Sequence, residues 1–76
     1  MKLTIIPEDS FVSVDGDGSH RLLDLSNCNI PQNVHALQWY ETEGEIEFNG
    51  RPKPQNEPIT ELPAWATACV SVWEAK

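Results

Sequence analysis

Two neighbouring runs of alternating residues in the middle of this 76-residue chain constrain its fold more than any other feature. The first, Val34–Tyr40, has the period-two pattern of a β-strand, and the second, Glu45–Phe48, alternates carboxylates with apolar side chains. Between them, Glu41–Gly44 is short and polar, which predicts a turn. The three segments predict a β-hairpin whose second strand directs Ile46 and Phe48 towards the core and its carboxylates towards water.

The alternation in the first strand of this hairpin also predicts which side chains share a face. We expect one face to carry His35, Leu37 and Trp39, and the other to carry Val34, Ala36, Gln38 and Tyr40. A shift of one residue in the pairing would exchange the two faces, so this assignment is a test of the predicted register.

Three further strands are predicted before the hairpin. They are Leu3–Ile6, Phe11–Val14 and His20–Leu25. Pro7–Ser10 and Asp15–Gly18 have the composition of turns, and the second is a strong hairpin signal because glycine accepts positive φ angles. Ser26–Asn33 is expected to be a loop, since it is rich in asparagine and contains an Ile-Pro pair. Short turns between successive strands predict an antiparallel meander.

The last part of the chain predicts one helix after a proline-rich arm. Asn49–Pro58 contains three prolines and is expected to be an irregular surface arm that cannot be a central strand. Thr60 is predicted to cap a helix over Glu61–Ala75. The apolar stripe of this helix comprises Leu62, Trp65, Cys69, Val72 and Trp73. The predicted fold is therefore α+β (mostly β), in one domain over residues 1–76: an antiparallel meander of about five strands with one C-terminal amphipathic helix packed on it.

The charge of the chain limits its partners. Twelve carboxylates against five Lys and Arg give a formal net charge of −7. Such a surface repels nucleic-acid phosphates and anionic lipid heads, and no basic cluster offsets the repulsion. No apolar run is long enough to span a membrane. We therefore expect no nucleic acid and no membrane among the partners, and the acidity serves either solubility or complementarity to a basic protein.

No pattern typical of catalysis or metal binding occurs. Asp15–Ser19 superficially resembles a calcium loop, but the sixth and twelfth positions are His20 and Ser26, where that loop needs Gly and Glu. Zinc sites usually contain close ligand pairs, which the two His and two Cys do not form. Cys28 and Cys69 are too few for a disulfide framework and are expected to stay reduced in a cytoplasm. We predict no enzyme, no cofactor and no metal.

The aromatic residues can be interpreted in two ways, as core residues or as a contact surface. Core packing explains most of them, whereas a tryptophan left exposed beside Tyr40 would form a contact surface, because Trp and Tyr dominate protein-interface hot spots. We expect contacts through strand edges or aromatic side chains. The predicted partner-binding residues are Trp39, Tyr40, Glu45, Glu47, Arg51, Trp65 and Trp73.

Several blocks of the chain resemble a group of small bacteriophage proteins encoded among tail and tail-fibre genes. These blocks are Met1–Pro7, Phe11–Gly16, Leu23–Ser26, Val34–Tyr40, Gly44–Phe48 and Ile59–Thr60 before the Ala/Trp-rich helix. The resemblance spans nearly the whole chain, although related chains often continue beyond the helix. It implies a tail-associated structural or assembly protein that acts by protein–protein contacts. Tail or tail-fibre subunits, or further copies of the chain, would be its partners, in the host cytoplasm during assembly and in the virion.

An alternative is a small acidic phage-encoded inhibitor that binds a host defence or nucleic-acid-handling protein. An acidic domain can occupy a basic nucleic-acid groove by charge complementarity. In that case the contacting residues would be Glu41, Glu43, Glu45 and Glu47, and binding would weaken strongly with salt.

Overall fold

Five strands form one antiparallel sheet, and a single helix lies against one of its faces. The computed structural model describes all 76 residues. The elements are β1 (Lys2–Ile6), β2 (Phe11–Val14), β3 (Val34–Tyr40), β4 (Glu43–Phe48), β5 (Glu57–Ile59) and the α-helix α1 (Ala64–Glu74), and a single turn of 3-10 helix, Pro7–Asp9, connects β1 to β2. The order in the sheet is β2-β1-β3-β4-β5, with every neighbouring pair antiparallel. This confirms the predicted fold class, a mostly β antiparallel sheet with one C-terminal helix.

The predicted strand over His20–Leu25 does not form. After β2 the chain makes a tight turn in which Val14 and Asp17 exchange two backbone hydrogen bonds, of 3.1 and 2.9 Å. From there it continues without regular structure as far as Asn33. The turn signal was therefore correct, but the chain does not return as a strand, and β2 is an edge of the sheet.

Leu22 interrupts the segment after this turn. Its φ angle of 56° lies in the left-handed region, which interrupts the extended backbone that a ladder needs. Leu23 and Leu25 are nevertheless buried in the core cluster. The apolar content that predicted a strand here reflects two leucines that enter the core from an irregular segment.

The fifth strand occurs instead within the predicted arm. β5 pairs with β4 and places Pro58 opposite Glu45. The prediction that Asn49–Pro58 is wholly irregular is therefore wrong for Glu57 and Pro58. Proline is tolerated here because β5 is the outermost strand, which needs to pair on one side only.

The hairpin of β3 and β4 is confirmed, with a shorter turn than predicted. β4 begins at Glu43 instead of Glu45, so that only Glu41 and Thr42 connect the strands. Glu41 takes a positive φ angle of 62°, as two-residue hairpin turns require at one or both of their central positions.

An irregularity in the pairing corrects the predicted faces of β3. The register shifts between Val34 and Ala36, and such a bulge changes the face on which a side chain lies. Val34 consequently belongs to the same core cluster as Leu37, from which the simple alternation separated it. Trp39 shares the core face with Leu37, as predicted.

The helix is shorter than predicted, because Pro63 determines where it begins. α1 starts at Ala64, and the Pro63 carbonyl accepts hydrogen bonds from the amides of Ala66 and Thr67. No side chain caps this end, so the predicted cap at Thr60 is wrong. A residue that precedes proline is disfavoured in helical conformation, which excludes Leu62 from the helix.

The core lies between the sheet and a second layer made of α1 and the irregular segment. Ala66 and Cys69 are the fully buried positions of α1, and these small side chains allow the helix to lie close to the sheet. The remaining members of the predicted stripe, Leu62, Trp65, Val72 and Trp73, are partly buried around them. Cys28 completes this layer by packing against Cys69.

Candidate functional site

One face of the sheet has no helix or strand over it. We call it the open face and define it by the residues that alternate with the buried ones along each strand. Its members are Lys2, Thr4, Ile6, Phe11, Ser13, Ala36, Gln38, Tyr40, Glu43, Glu45, Glu47 and Pro58. Ala36 is buried on this side of the sheet, and the other members are half-buried or exposed. Antiparallel sheets commonly present one face to water, so an uncovered face does not by itself indicate a binding site. The side chains on the face are the evidence for its function.

Three carboxylates form a row along β4 on the open face. Glu43, Glu45 and Glu47 are two residues apart, which spaces neighbouring side chains by about 7 Å along the strand. The closest cation by register is Lys2, which pairs with Tyr40, the partner of Glu43. Like charges side by side on one face are unfavourable. The row therefore makes the β4 side of the open face strongly negative.

Tyr40 lies beside this row and is the exposed aromatic residue of the sheet. It is 53% exposed, and it pairs directly with Glu43 across the hairpin. A shallow depression of about 260 Å³ is lined by Tyr40, Glu43, Gly44, Glu45 and Pro58. A ring and two carboxylates around one depression form a surface that suits a basic side chain, through ion pairing and cation–π contact.

Hydrogen bonds hold the middle of the open face in place. The side chains of Thr4 and Gln38, which are cross-strand neighbours, are joined by a hydrogen bond of 2.8 Å that is partly buried. Asn56 donates a hydrogen bond of 3.3 Å to Glu45. These contacts restrict side chains of β1 and β3 and one carboxylate of the row.

Glu41, the remaining acidic residue of the hairpin, has a different role. Its carboxylate forms an ion pair with the amino group of Met1, and its amide donates a hydrogen bond of 3.0 Å to the Met1 carbonyl. Glu41 therefore ties the hairpin turn to the start of β1, and its charge is balanced within the chain.

The structure brings together only some of the predicted partner-binding residues. Tyr40, Glu45 and Glu47 share the open face. Trp39 is 7% exposed and belongs to the core, which removes its ring from the contact surface. Arg51 is exposed on the arm, outside the open face.

The two tryptophans of the helix are also separate from the open face. The Trp73 indole donates a hydrogen bond of 3.0 Å to the Asp17 carbonyl, and its ring contacts His20 edge-on with 5.2 Å between centroids. Trp73 thus fastens the helix to the turn after β2. Trp65 lines a groove on the helix side of the sheet.

Sequence reasoning missed Thr4, Gln38 and Pro58 as members of the open face. The alternation of β3 placed Gln38 on the face of Tyr40, which was a usable signal. Thr4 and Pro58 carried none, because their positions depend on the pairing of β1 with β3 and of β5 with β4.

The shifted pKa values belong to groups outside the open face. Hydrogen bonds from the Ser19 hydroxyl and amide lower the pKa of Asp17, and the same pair of bonds from Ser26 lowers the pKa of Asp24. Burial, together with a hydrogen bond to another thiol, raises the pKa of Cys69 to about 12. The carboxylates belong to exposed turns, and the thiol belongs to the core.

No group of three or more His, Cys, Asp and Glu side chains is arranged to hold a metal ion, and α1 is too short to cross a lipid bilayer. No protein-family model, curated protein or solved structure matches the chain. The resemblance to small phage tail proteins therefore stays a prediction. The open face is the surface on which a functional conclusion can be based.

Proposed function

We propose that the chain is a structural or assembly protein of a bacteriophage tail that works by contact, binding a basic surface of a partner protein with its open face. The observation that carries this proposal is the row of Glu43, Glu45 and Glu47 beside the exposed ring of Tyr40. The tail context is supported by the sequence resemblance, and the mode of binding is supported by the geometry.

The distribution of charge favours a partner over a purely solvating role. A surface that only keeps a protein soluble carries both signs of charge interspersed, and opposite charges in cross-strand positions would stabilise the sheet. The β4 row contains no interspersed positive charge, and none of its carboxylates has a cation as its cross-strand partner. A basic partner would relieve the repulsion between the three carboxylates and would be attracted over a distance of about 8–10 Å at physiological salt.

Tyr40 provides the apolar contribution that the row of carboxylates lacks. Within that row Glu43 is exposed, and Glu45 and Glu47 are half-buried. Exposed ion pairs contribute little to affinity, about 0–1 kcal/mol each. An amphipathic ring at the centre of an interface contributes more, because it buries apolar area and keeps a hydroxyl for hydrogen bonding. The open face thus combines steering by charge with an anchor.

Pairing through strand edges is less favoured by the structure. β5 has three residues and contains Pro58, and short edge strands with proline are a common protection against pairing. At the other edge, the chain after β2 folds back beside it, with Gly18 close to Phe11 and Ser13. The open face therefore replaces the strand edges as the expected contact surface.

A complementation experiment tests the proposal. The gene is deleted from the phage that encodes the chain and is supplied as wild type or as a variant, and purified virions are probed for the chain. The open-face variant combines Glu43→Lys, Glu45→Lys and Glu47→Lys, and the control combines Glu8→Lys, Asp9→Lys and Glu74→Lys, which are exposed elsewhere. Each reversal adds two charges, so both variants change the net charge from −7 to −1.

We expect the control to be incorporated or to restore tail assembly, and the open-face variant to fail. Failure of both variants would show that overall charge, and not the open face, matters. Success of both would overturn the role of the open-face carboxylates. Absence of the wild-type chain from particles, together with normal tails after deletion, would overturn the assignment to the tail.

A second candidate function follows from the same row of carboxylates. As an inhibitor of a basic host protein, the chain would use the row to imitate the spacing of charges along a nucleic-acid strand. Virions would then lack the chain and would form normally without it. The open-face variant would lose activity against the host target, while the control variant would keep it.

A further inference from the structure

A groove on the helix side of the sheet is distinct from the open face. It lies where the start of α1 meets β4 and β5, and it encloses about 330 Å³. Val34, Phe48, Ile59, Leu62 and Trp65 form most of its apolar lining. Two carboxylates, Glu57 and Glu61, line it as well and are exposed to solvent.

The apolar side chains around the groove are only partly buried by the chain itself. Phe48, Ile59, Leu62 and Trp65 pack against the core cluster but keep part of their surface accessible. Apolar surface in contact with water is unfavourable in proportion to its area. A contiguous apolar patch that is rimmed by polar groups is typical of a binding surface.

The charge around the groove favours a basic partner over a second copy of the chain. A second copy of the chain would bring a further net charge of −7 to a surface that is already acidic, and repulsion opposes such self-association. Glu57 and Glu61 favour a cation next to an apolar group. We propose that the groove binds an apolar side chain of a partner polypeptide that carries Lys or Arg beside it.

The groove and the open face lie on the two sides of the same edge of the sheet. In β5, Glu57 pairs with Ile46 of the core side, whereas Pro58 pairs with Glu45 of the open face. One basic partner can therefore contact both surfaces by passing around β5. This inference shares with the proposed function the premise of a basic protein partner, but it rests on different residues.

A titration with short peptides tests the groove by itself. The probe is the peptide Gly-Ser-Lys-Leu-Leu-Lys-Ser-Gly, and two control peptides replace either both leucines by serine or both lysines by glutamate. The readout is the indole N–H resonance of each tryptophan in ¹⁵N-labelled full-length protein, assigned with the Trp65→Phe variant. Trp39 in the core and Trp73 bonded to Asp17 serve as internal references.

We expect the probe to shift the Trp65 resonance in a saturable manner and to leave the other two indoles unchanged. Both control peptides should bind at least tenfold more weakly, since each lacks one half of the recognition. The double variant Glu57→Lys/Glu61→Lys should weaken binding of the probe to a similar extent, and its unchanged spectrum elsewhere would show that it is folded.

The open-face variant separates this inference from the proposed function. It should bind the probe with Trp65 shifts like those of the wild type, because its substitutions lie outside the groove. An unchanged Trp65 resonance at millimolar probe would overturn the inference. So would equal shifts from the serine peptide, which would reveal charge attraction without an apolar site.

Discussion

Of the four glycines, Gly44 is the one at which an added methyl group should destabilise the fold most. It lies opposite Trp39 in the β3–β4 pair. A Cβ atom at Gly44 would overlap the carbonyl oxygen of Gln38 and would lie 2.8 Å from the Trp39 Cα atom. Both neighbours are backbone atoms of a central strand and cannot rotate away, so Gly44→Ala requires the two strands to separate.

The expected magnitude follows from two opposing effects. Replacing glycine by alanine within a strand gains about 0.5–1 kcal/mol, because glycine loses more conformational freedom on folding. Overpacking a tightly packed site costs about 1–3 kcal/mol, and a contact with backbone belongs at the upper end of that range. The net destabilisation is therefore about 2 kcal/mol, which corresponds to a decrease in Tm of roughly 8–16 °C for a domain of this size.

Gly18→Ala is the matched control. There a Cβ atom would lie 2.7 Å from two atoms of the Phe11 ring, which is the far end of a side chain that is partly exposed and free to turn. Thermal unfolding followed by circular dichroism, together with urea titration of tryptophan fluorescence, measures both variants. A Tm of Gly44→Ala equal to or above that of Gly18→Ala would refute the argument that backbone contact determines the cost.

Three further outcomes follow from contacts outside the hairpin. The thiols of Cys28 and Cys69 should resist alkylation at pH 8 in the folded protein and react rapidly in urea, because both are buried and the pKa of Cys69 is raised to about 12. Trp73→Phe removes the indole hydrogen bond to the Asp17 carbonyl and should lower the free energy of unfolding by about 1 kcal/mol in urea titrations; no change would show that the bond adds no net stability. The pKa values of Asp17 and Asp24 are lower in the folded state than the ordinary 3.8. Their contribution to stability is therefore complete above that pH and is lost as the pH falls through the folded-state values. The double variant Asp17→Asn/Asp24→Asn should consequently show a weaker dependence of Tm on pH between about pH 5 and 2, the range in which carboxylates titrate.

Local patterns predicted the parts of the fold that depend on local interactions. β-Branched composition identified β1, the alternation of large and small residues identified β2, and period-two alternation identified the β3–β4 hairpin. The helix followed from its apolar spacing. Two members of the acidic row, Glu45 and Glu47, followed from their alternation with Ile46 and Phe48, whereas Glu43 was predicted to lie in the turn. These features depend on neighbours within a few residues, which the sequence displays directly.

Local patterns failed where a distant part of the chain decides the outcome. His20–Leu25 is predicted to be a strand, but Leu22 adopts a left-handed conformation, and Leu23 and Leu25 are buried in the core. Glu57–Ile59 has the composition of a loop but becomes a strand, because the outer edge of β4 is available for pairing. The choice between these two segments is made by packing energy and not by propensity.

The candidate site divides in the same way. The sequence by itself determined that the chain is acidic and that Glu45 and Glu47 share a strand face. Only the tertiary structure decided that Trp39 is buried while Tyr40 is exposed, and that a groove remains beside Trp65. The physical reason is that exposure depends on what lies across the sheet and over the helix, and distant segments of the chain supply those neighbours.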